Sequence, residues 1–342
     1  MMRAREGTSG DTAEETTEGS NKNPYVFVVG CLRSGTTLLQ RMLDHHPQLA
    51  VGYDSLFIPQ VIKDVAVGID PPLIPELVER VRGHPRFARL GLPDAAVRGA
   101  AAKARTYSEF VCILYSEFGR IHGKPLAGEK SPGYCRHLPR LHALFPWVRT
   151  IHLIRDGRDV TLSILQWHKG PVKLRLWQKE PVAACALWWR RDVSTGRRDG
   201  GDLGPARYRE VTYEELVGQP EEALRDLAAF LKLPFAPEML AYHKGKTRSK
   251  PGRSAKAAWL PPTPGLRDWR TQMAKRDLEL FEAIAGDLLS GLGYERAFDT
   301  ISPEIAAVAE QCGRWWESQM AERRRRAGSG EDPDRRKQAG GA

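Results

Sequence analysis

The sequence predicts an α/β fold, a central parallel β-sheet flanked by helices, because short apolar runs alternate with amphipathic stretches. The runs that we interpret as buried strands are residues 25–30, 125–129, 148–154 and 207–211. Each run precedes a helical pattern, and strands that alternate with helices imply a parallel sheet with right-handed crossovers.

The apolar pattern is clearest in the first predicted strand and the helix that follows it. Residues 25–30 (YVFVVG) are almost entirely apolar, as is typical of a strand buried on both faces of a sheet. Apolar residues then recur at helical spacing over 38–43, and Pro47 predicts the end of that helix. Residues 148–154 (VRTIHLI) predict a central strand, followed by a helix over 156–167.

Two regions depart from the alternation. Residues 58–121 predict a helical insertion that covers the ligand cleft, and residues 244–264 are basic, rich in Gly, Ser and Pro, and irregular. The predicted organisation is a disordered leader over 1–23, a globular domain over 24–298, a C-terminal helix over 299–322 and a disordered basic tail over 323–342.

Composition excludes some classes of protein but does not indicate a function. The 342 residues are 41% hydrophobic and 27% charged, which excludes collagen-like and fully disordered chains. No membrane span, signal peptide or anchor is expected, and five cysteines without a CxxC pair indicate free thiols in the cytoplasm. The net charge of +10 is compatible with nucleic acid, a membrane surface or an anionic small molecule, so the motifs must decide.

The segment GCLRSGTT, residues 30–37, lies between a predicted strand and a predicted helix. Gly30 and Gly35 allow the backbone to approach an anion, and the helix N-terminus directs N–H groups at it. The segment nearly matches GxxxxGK[ST], but Thr36 occupies the lysine position, which disfavours nucleoside triphosphate hydrolysis. The cation has moved to Arg33, so we predict a P-loop-type phosphate cradle around the loop.

A second anion site is predicted in LIRDGRDVTLS, residues 153–163. Arg155 ends the strand and Ser163 follows about two helical turns later, at the sheet edge where α/β proteins bind ligands. The other charged residues of the segment have a structural interpretation, a helix cap or surface ion pairs: Asp156, Arg158 and Asp159. Together the two loops predict a ligand with phosphates at two separated positions.

With these motifs in this order, the sequence resembles the sulfotransferases that use 3′-phosphoadenosine 5′-phosphosulfate (PAPS). The RSGTT loop resembles that family's 5′-phosphosulfate loop, and Arg155 with Ser163 resembles its 3′-phosphate pair at the same spacing. The segments RSGTTLLQRMLDHHPQLAVGYDSLFIP, LIRDGR and VTYEELV resemble tyrosylprotein sulfotransferases and related bacterial enzymes, and EKSPGY resembles glycan sulfotransferases. The resemblance covers residues 25–294.

The resemblance implies a set of cofactor-binding residues. The 5′-phosphosulfate cradle would consist of Arg33, Ser34, Gly35, Thr36 and Thr37. Arg155 and Ser163 would hold the 3′-phosphate, and Tyr213 in VTYEEL matches a tyrosine that lies by the nucleotide. Trp269 and Arg270 match a late segment that closes over the cofactor, although the preceding PPTPG departs from the family pattern. A structural role for Trp269 remains open.

Sulfuryl transfer also needs a cation and a base. The resemblance makes Lys130 the cation, with Arg33 beside it, and places Asp54 where the tyrosylprotein enzymes carry a catalytic glutamate. Glu129 is the alternative base, unless it simply forms an ion pair, and Leu56 replaces an arginine that those enzymes have near the base. The weaker candidates are three histidines: His45, His46 and His137.

The expected reaction converts PAPS to 3′,5′-adenosine bisphosphate (PAP) without a metal ion. The acceptor is a hydroxyl on a phenol, sugar or lipid alcohol. Two alternatives remain: a P-loop nucleotide kinase, which should carry lysine at Thr36, and a sulfotransferase-like or nucleic-acid-binding protein without activity. Nucleic acid is not an expected partner, because the basic residues gather in the two loops and in 244–256.

Overall fold

The computed structural model describes residues 22–63, 68–167, 171, 174–244 and 267–328. Its centre is one five-stranded parallel sheet in the order β2-β3-β1-β4-β5. The strands are β1 (Val26–Gly30), β2 (Leu49–Tyr53), β3 (Leu126–Lys130), β4 (Arg149–Ile154) and β5 (Tyr208–Thr212). The predicted fold class and the four predicted strands are confirmed.

Helices pack on both faces of the sheet, as the alternating pattern predicts. In the described residues they are α1 (Thr36–Asp44), α2 (Phe57–Val61), α3 (Pro75–Arg82), α4 (Asp94–Lys103), α5 (Tyr107–Ile121), α6 (Leu138–Leu144), α7 (Gly157–Trp167), α8 (Arg175–Lys179), α9 (Pro181–Gly201), α10 (Tyr213–Gly218), α11 (Pro220–Phe230), α12 (Trp269–Gln272), α13 (Lys275–Gly291) and α14 (Pro303–Gly328). Short 3₁₀ segments cover Phe87–Leu90, Pro132–Arg136 and Pro237–Met239. No helix of the described residues is long and apolar enough to cross a membrane.

The edge strand β2 is the element that the sequence pattern did not predict. Its sequence LAVGY contains Ala50 and Gly52, which are poor strand formers, so the apolar pattern typical of a strand is weak. A Cβ atom at Gly52 would lie 3.0 Å from Leu90 Cδ2. The glycine therefore lets the 3₁₀ segment Phe87–Leu90 lie close against β2.

The predicted helical insertion is confirmed by α2 to α5, which occupy most of residues 58–121. Its side chains join the core on the β2 and β3 side of the sheet. Phe57 and Phe87 meet edge to face with ring centroids 5.2 Å apart, and the Tyr107 hydroxyl donates to the Ile58 carbonyl at 3.0 Å. The insertion is thereby fixed beside the carboxyl end of β2.

Both predicted domain ends require correction. Asn23, expected in the leader, is 5% exposed, and its side-chain carbonyl accepts a hydrogen bond from the Ala127 N–H at 2.7 Å. The C-terminal helix continues to Gly328 because alanine, glutamate and arginine, which fill the sequence beyond 320, are good helix formers. The remainder of the predicted leader (1–21), the tail beyond 328 and the irregular region over 245–266 lie outside the described residues.

Candidate active site

All five strands end at the same edge of the sheet, and the predicted site residues follow those ends. The strand register aligns Gly30 with Leu153 and Tyr53 with Lys130. In order across the sheet the edge carries Asp54 after β2, Lys130 at the end of β3, the loop 31–35 after β1, Arg155 after β4 and Tyr213 after β5. The fold therefore gathers segments from residue 31 to residue 213 into one site.

The loop between β1 and α1 is tightly packed and needs its glycines. Gly35 has a φ of 94°, and a Cβ atom there would lie 2.4 Å from Tyr213 Cδ2. A Cβ atom at Gly30 would lie 2.4 Å from the Leu153 carbonyl oxygen. Any side chain at either position would displace the loop from the sheet edge.

Several polar groups in this region have no partner among the described residues. The Ser34 hydroxyl is fully buried and unpaired, and so is the Arg155 Nε atom. Gly35 begins α1 without a side-chain cap, which leaves the first-turn N–H groups of Thr36 and Thr37 directed at the loop. Buried polar groups normally find partners, so this set fits an anionic ligand.

The two predicted phosphate sites are directly connected. The Arg33 Nε atom donates a hydrogen bond to the Ser163 hydroxyl at 3.0 Å, and its guanidinium lies 4.8 Å from the Trp167 ring centroid. Burial lowers the pKa of Arg33, and the nearby cations Arg267 and Arg155 lower it further. An arginine held among other cations favours a bound anion.

Arg155 is held by groups on both sides of its guanidinium. The guanidinium carbon lies 4.3 Å from the Tyr213 ring centroid, and Nη2 pairs with Asp159 at 3.2 Å. Asp159 also accepts a hydrogen bond from the Trp269 N–H at 3.1 Å. Trp269 thus supports Arg155 through Asp159, which is a structural contribution of the kind that the sequence left open.

Arg270 lies apart from this arrangement. Its guanidinium pairs with Glu295 at 2.7 Å, and its side chain is 55% exposed, whereas Ser34 and Thr36 of the loop after β1 are buried. Its predicted cofactor contact therefore stays a prediction, which the observed Glu295 pair does not favour.

Arg158 corrects the prediction of a surface ion pair. It is 1% exposed, pairs with Asp156 at 2.7 Å and with Glu282 at 2.8 Å, and stacks 3.6 Å from the Trp269 ring centroid. The reason is that α7 packs against α13, so the arginine is enclosed between two carboxylates. Asp156 also accepts a hydrogen bond from the Arg158 N–H at 2.9 Å, which confirms the predicted helix cap.

The predicted cation and the predicted base are neighbours at the β2 and β3 ends. The Asp54 N–H donates to the Lys130 carbonyl at 2.6 Å. Lys130 is 2% exposed, and its Nζ atom lies 3.6 Å from the Tyr53 ring centroid. Burial lowers the pKa of Lys130, while Tyr53, Asp54 and Glu129 act in the opposite direction.

Two arginines that the sequence analysis missed hold Asp54. Arg86 Nη1 lies 3.2 Å from Asp54 Oδ1, and Arg89 Nη1 lies 2.7 Å from Asp54 Oδ2. Both come from the insertion, outside any motif, so only the packing of Phe87–Leu90 on β2 could reveal them. They supply positive charge beside Asp54, where Leu56 cannot.

The surroundings of Glu129 favour a structural role over the alternative of a base. It is fully buried, and its carboxylate accepts hydrogen bonds from the Ser55 N–H and hydroxyl at 2.6 Å and the Ser131 hydroxyl at 2.5 Å. It also accepts from three further donors: the Leu56 N–H and the hydroxyls of Tyr115 and Tyr134. With these donors it stabilises the turn in which Asp54 and Leu56 have φ values of 47° and 56°.

The three histidines considered as bases have structural surroundings. His45 Nδ1 bonds the Arg41 carbonyl at 2.7 Å, and the buried His46 bonds the Pro234 carbonyl at 2.9 Å. His137 precedes α6, and burial together with Arg136 and Arg140 lowers its pKa to about 4.

Comparison with known proteins shows the family of the chain. A family model described as the sulfotransferase family matches residues 24–237. The chain is 26% identical over 281 residues to a protein-tyrosine sulfotransferase of Drosophila melanogaster, covering 80% of this chain and 52% of that protein. It is 24% identical over 234 residues to protein-tyrosine sulfotransferase A of Caenorhabditis elegans, covering 68% and 56%. The chain therefore spans about half the length of these curated relatives.

Solved structures share the fold. The sulfotransferase domain of the Synechococcus PCC 7002 olefin synthase superposes with a TM-score of 0.55 at 24% identity, covering 83% of this chain and 99% of that chain. The sulfotransferase domain from the curacin biosynthetic pathway superposes with a TM-score of 0.51 at 22% identity, covering 80% and 98%. At this identity the likeness establishes the architecture.

Proposed function

The chain belongs to the sulfotransferase family, and we propose that it transfers a sulfuryl group from PAPS to an acceptor hydroxyl. The observation that carries the proposal is the hydrogen bond between Arg33 and Ser163 at 3.0 Å. It joins the loop after β1 to the helix after β4, so one ligand with phosphates at two positions can engage both. A kinase is less well supported, since Thr36 stands at the lysine position.

The residues at the sheet edge fit such a nucleotide. The buried, unpaired Ser34 hydroxyl and Arg155 Nε atom are available to phosphate oxygens, and Gly35 keeps the loop open to close approach. The residues that would hold PAPS are Arg33, Ser34, Gly35, Thr36, Thr37, Arg155, Ser163 and Tyr213. When bound, PAPS supplies the sulfuryl group and leaves as PAP.

The proposed transfer is an in-line displacement. Asp54 accepts the proton of the acceptor hydroxyl, whose oxygen bonds to sulfur while the bond from sulfur to the 5′-phosphate oxygen breaks. Lys130 and Arg33 stabilise the negative charge that develops on the departing phosphate. Arg86 and Arg89 hold the Asp54 carboxylate towards the insertion side of the edge.

The acceptor is proposed only as a hydroxyl of a phenol, sugar or lipid alcohol. Protein tyrosine belongs among the phenols to be tested, because the curated relatives are named for it. We place the reaction in the cytoplasm, a proposal supported by the free thiols of all five cysteines.

The direct test is sulfuryl transfer from ³⁵S-labelled PAPS to a panel of p-nitrophenol, a tyrosine-containing peptide, glucose and octanol. We expect label on at least one acceptor together with PAP release, and loss of both in Lys130→Ala with PAP binding retained. Binding of PAP without transfer to any acceptor would instead favour an inactive binding protein. Phosphoryl transfer from ATP with Mg²⁺, without PAP binding, would favour the kinase.

A further inference from the structure

Tyr53 and Lys130 form a close pair at the carboxyl edge of the sheet. They are aligned neighbours on β2 and β3, each at the last position of its strand. The Lys130 ammonium lies 3.6 Å from the centroid of the Tyr53 ring and is almost completely shielded from water. This distance places the ammonium on the ring face, which carries negative potential.

The charged groups around Lys130 are largely engaged elsewhere. Asp54 is held in ion pairs by Arg86 and Arg89, and Glu129 accepts hydrogen bonds from hydroxyl and N–H donors. The Arg89 guanidinium also lies 5.9 Å from the Tyr53 ring centroid and opposes the charge on Lys130. The Tyr53 ring packs against the ammonium at a centroid distance of 3.6 Å.

We propose that Tyr53 is a positioning residue for the proposed sulfuryl transfer. The face of its ring keeps the Lys130 ammonium protonated and directs it along the sheet edge. The inference rests on the proposed function, because it assigns Tyr53 a role through the proposed catalytic cation. It predicts that the electrostatic character of the ring, rather than the hydroxyl, sets the pKa of Lys130.

The physical consequence has a definite sign. Burial disfavours the charged lysine and lowers the pKa of Lys130. The ring face, whose centroid lies 3.6 Å from the ammonium, favours the charged form. Without the ring the pKa falls further, so Lys130 loses its proton at a lower pH. The pH at which the rate of sulfuryl transfer declines on the alkaline side is then lower as well.

The test compares wild type with three variants at position 53. Tyr53→Phe keeps the ring, Tyr53→Leu removes it, and 3,4,5-trifluorophenylalanine at Tyr53 keeps the shape but withdraws negative potential from the face. In the full chain with PAP, ¹⁵N NMR of lysine-labelled protein follows the titration of Lys130 Nζ, with Lys130→Met identifying its signal. Transfer from PAPS to p-nitrophenol is followed across the same pH range.

We expect Tyr53→Phe to match wild type and Tyr53→Leu to titrate about one pH unit lower, the size expected for a desolvated cation–π contact. Lys130 should also titrate at lower pH in the fluorinated variant, and this variant provides the test if Tyr53→Leu fails to fold. Equal midpoints in wild type and the fluorinated variant would overturn the inference. Because the NMR titration does not require turnover, absence of transfer in the wild type would count against the proposed function alone.

Discussion

Arg33 and Ser163 are joined by a hydrogen bond of 3.0 Å although 130 positions separate them in the sequence. Arg33 belongs to the loop after β1, and Ser163 lies on the second turn of α7, after β4. The contact is possible because β1 and β4 are adjacent parallel strands whose carboxyl ends coincide. The contact therefore joins the two segments that the sequence predicts to bind phosphate.

Gly35 should be irreplaceable in this site. Gly35→Ala combines a φ of 94° with a Cβ atom 2.4 Å from the Tyr213 ring, so the loop must move. We expect a loss of about 1–3 kcal/mol in the free energy of unfolding and weakened PAP binding. Urea denaturation and calorimetry check this against Gly218→Ala, where a Cβ atom meets no atom within 4 Å. Equal effects of the two substitutions would contradict the tight loop packing.

Asp54 and Glu129 should differ in the property that they control. Asp54→Asn removes the proposed base and should lower kcat by about 10²- to 10⁴-fold while PAP affinity is kept. Glu129→Gln places an amide group among hydroxyl and N–H donors, so it should lower the melting temperature. Thermal unfolding and single-turnover transfer distinguish them. Full activity in Asp54→Asn would remove Asp54 from the mechanism.

The insertion arginines should act on the rate and leave nucleotide binding unchanged. The double substitution Arg86→Ala, Arg89→Ala frees the Asp54 carboxylate, and loss of its orientation should reduce kcat by up to about 100-fold. Arg82→Ala is the matched control, because this exposed arginine of the same insertion pairs with Glu79 and Asp94. A parallel loss of PAP affinity in the double variant would show that the arginines serve the cofactor instead.

Stability should fall with acidity through a buried histidine. Burial lowers the pKa of His152 to about 3, and its ring bonds the Tyr208 hydroxyl at 2.6 Å. The unfolded chain, with a histidine pKa near ~6.5, binds the proton first, so stability is retained above that pH and lost below it. Urea unfolding should show a decline that is shallower by about 1.4 kcal/mol per pH unit in His152→Asn between roughly pH 6 and 4. An unchanged slope would contradict a neutral buried His152.

Elements that depend on the local residue pattern could be predicted from the sequence. The four buried strands follow from their apolar runs, and the helices after β1 and β4 follow from the apolar spacing behind them. The phosphate-binding roles of the loop after β1, Arg155 and Ser163 stay predictions. Strand β2 was missed because Ala50 and Gly52 weaken its pattern, and it forms only by pairing with β3.

What the sequence could not show depends on contacts between distant segments. Arg86 and Arg89 reach Asp54 only because Gly52 admits the 3₁₀ segment of the insertion to the edge strand. Arg158 has a charge pattern typical of a surface residue, but α13 encloses it with Glu282. Neither effect leaves a periodic signal in the chain.

The most direct test of the two-phosphate site is isothermal titration with PAP, 5′-AMP, adenosine 2′,5′-bisphosphate and ATP with Mg²⁺. We expect PAP to bind at least about tenfold more tightly than 5′-AMP or the 2′,5′ isomer, as is typical of hydrogen bonds to a charged group. We also expect Arg155→Ala to reduce the affinity for PAP to that for 5′-AMP. Equal binding of PAP and 5′-AMP by the wild type, or binding of ATP with Mg²⁺ alone, would contradict a two-phosphate site.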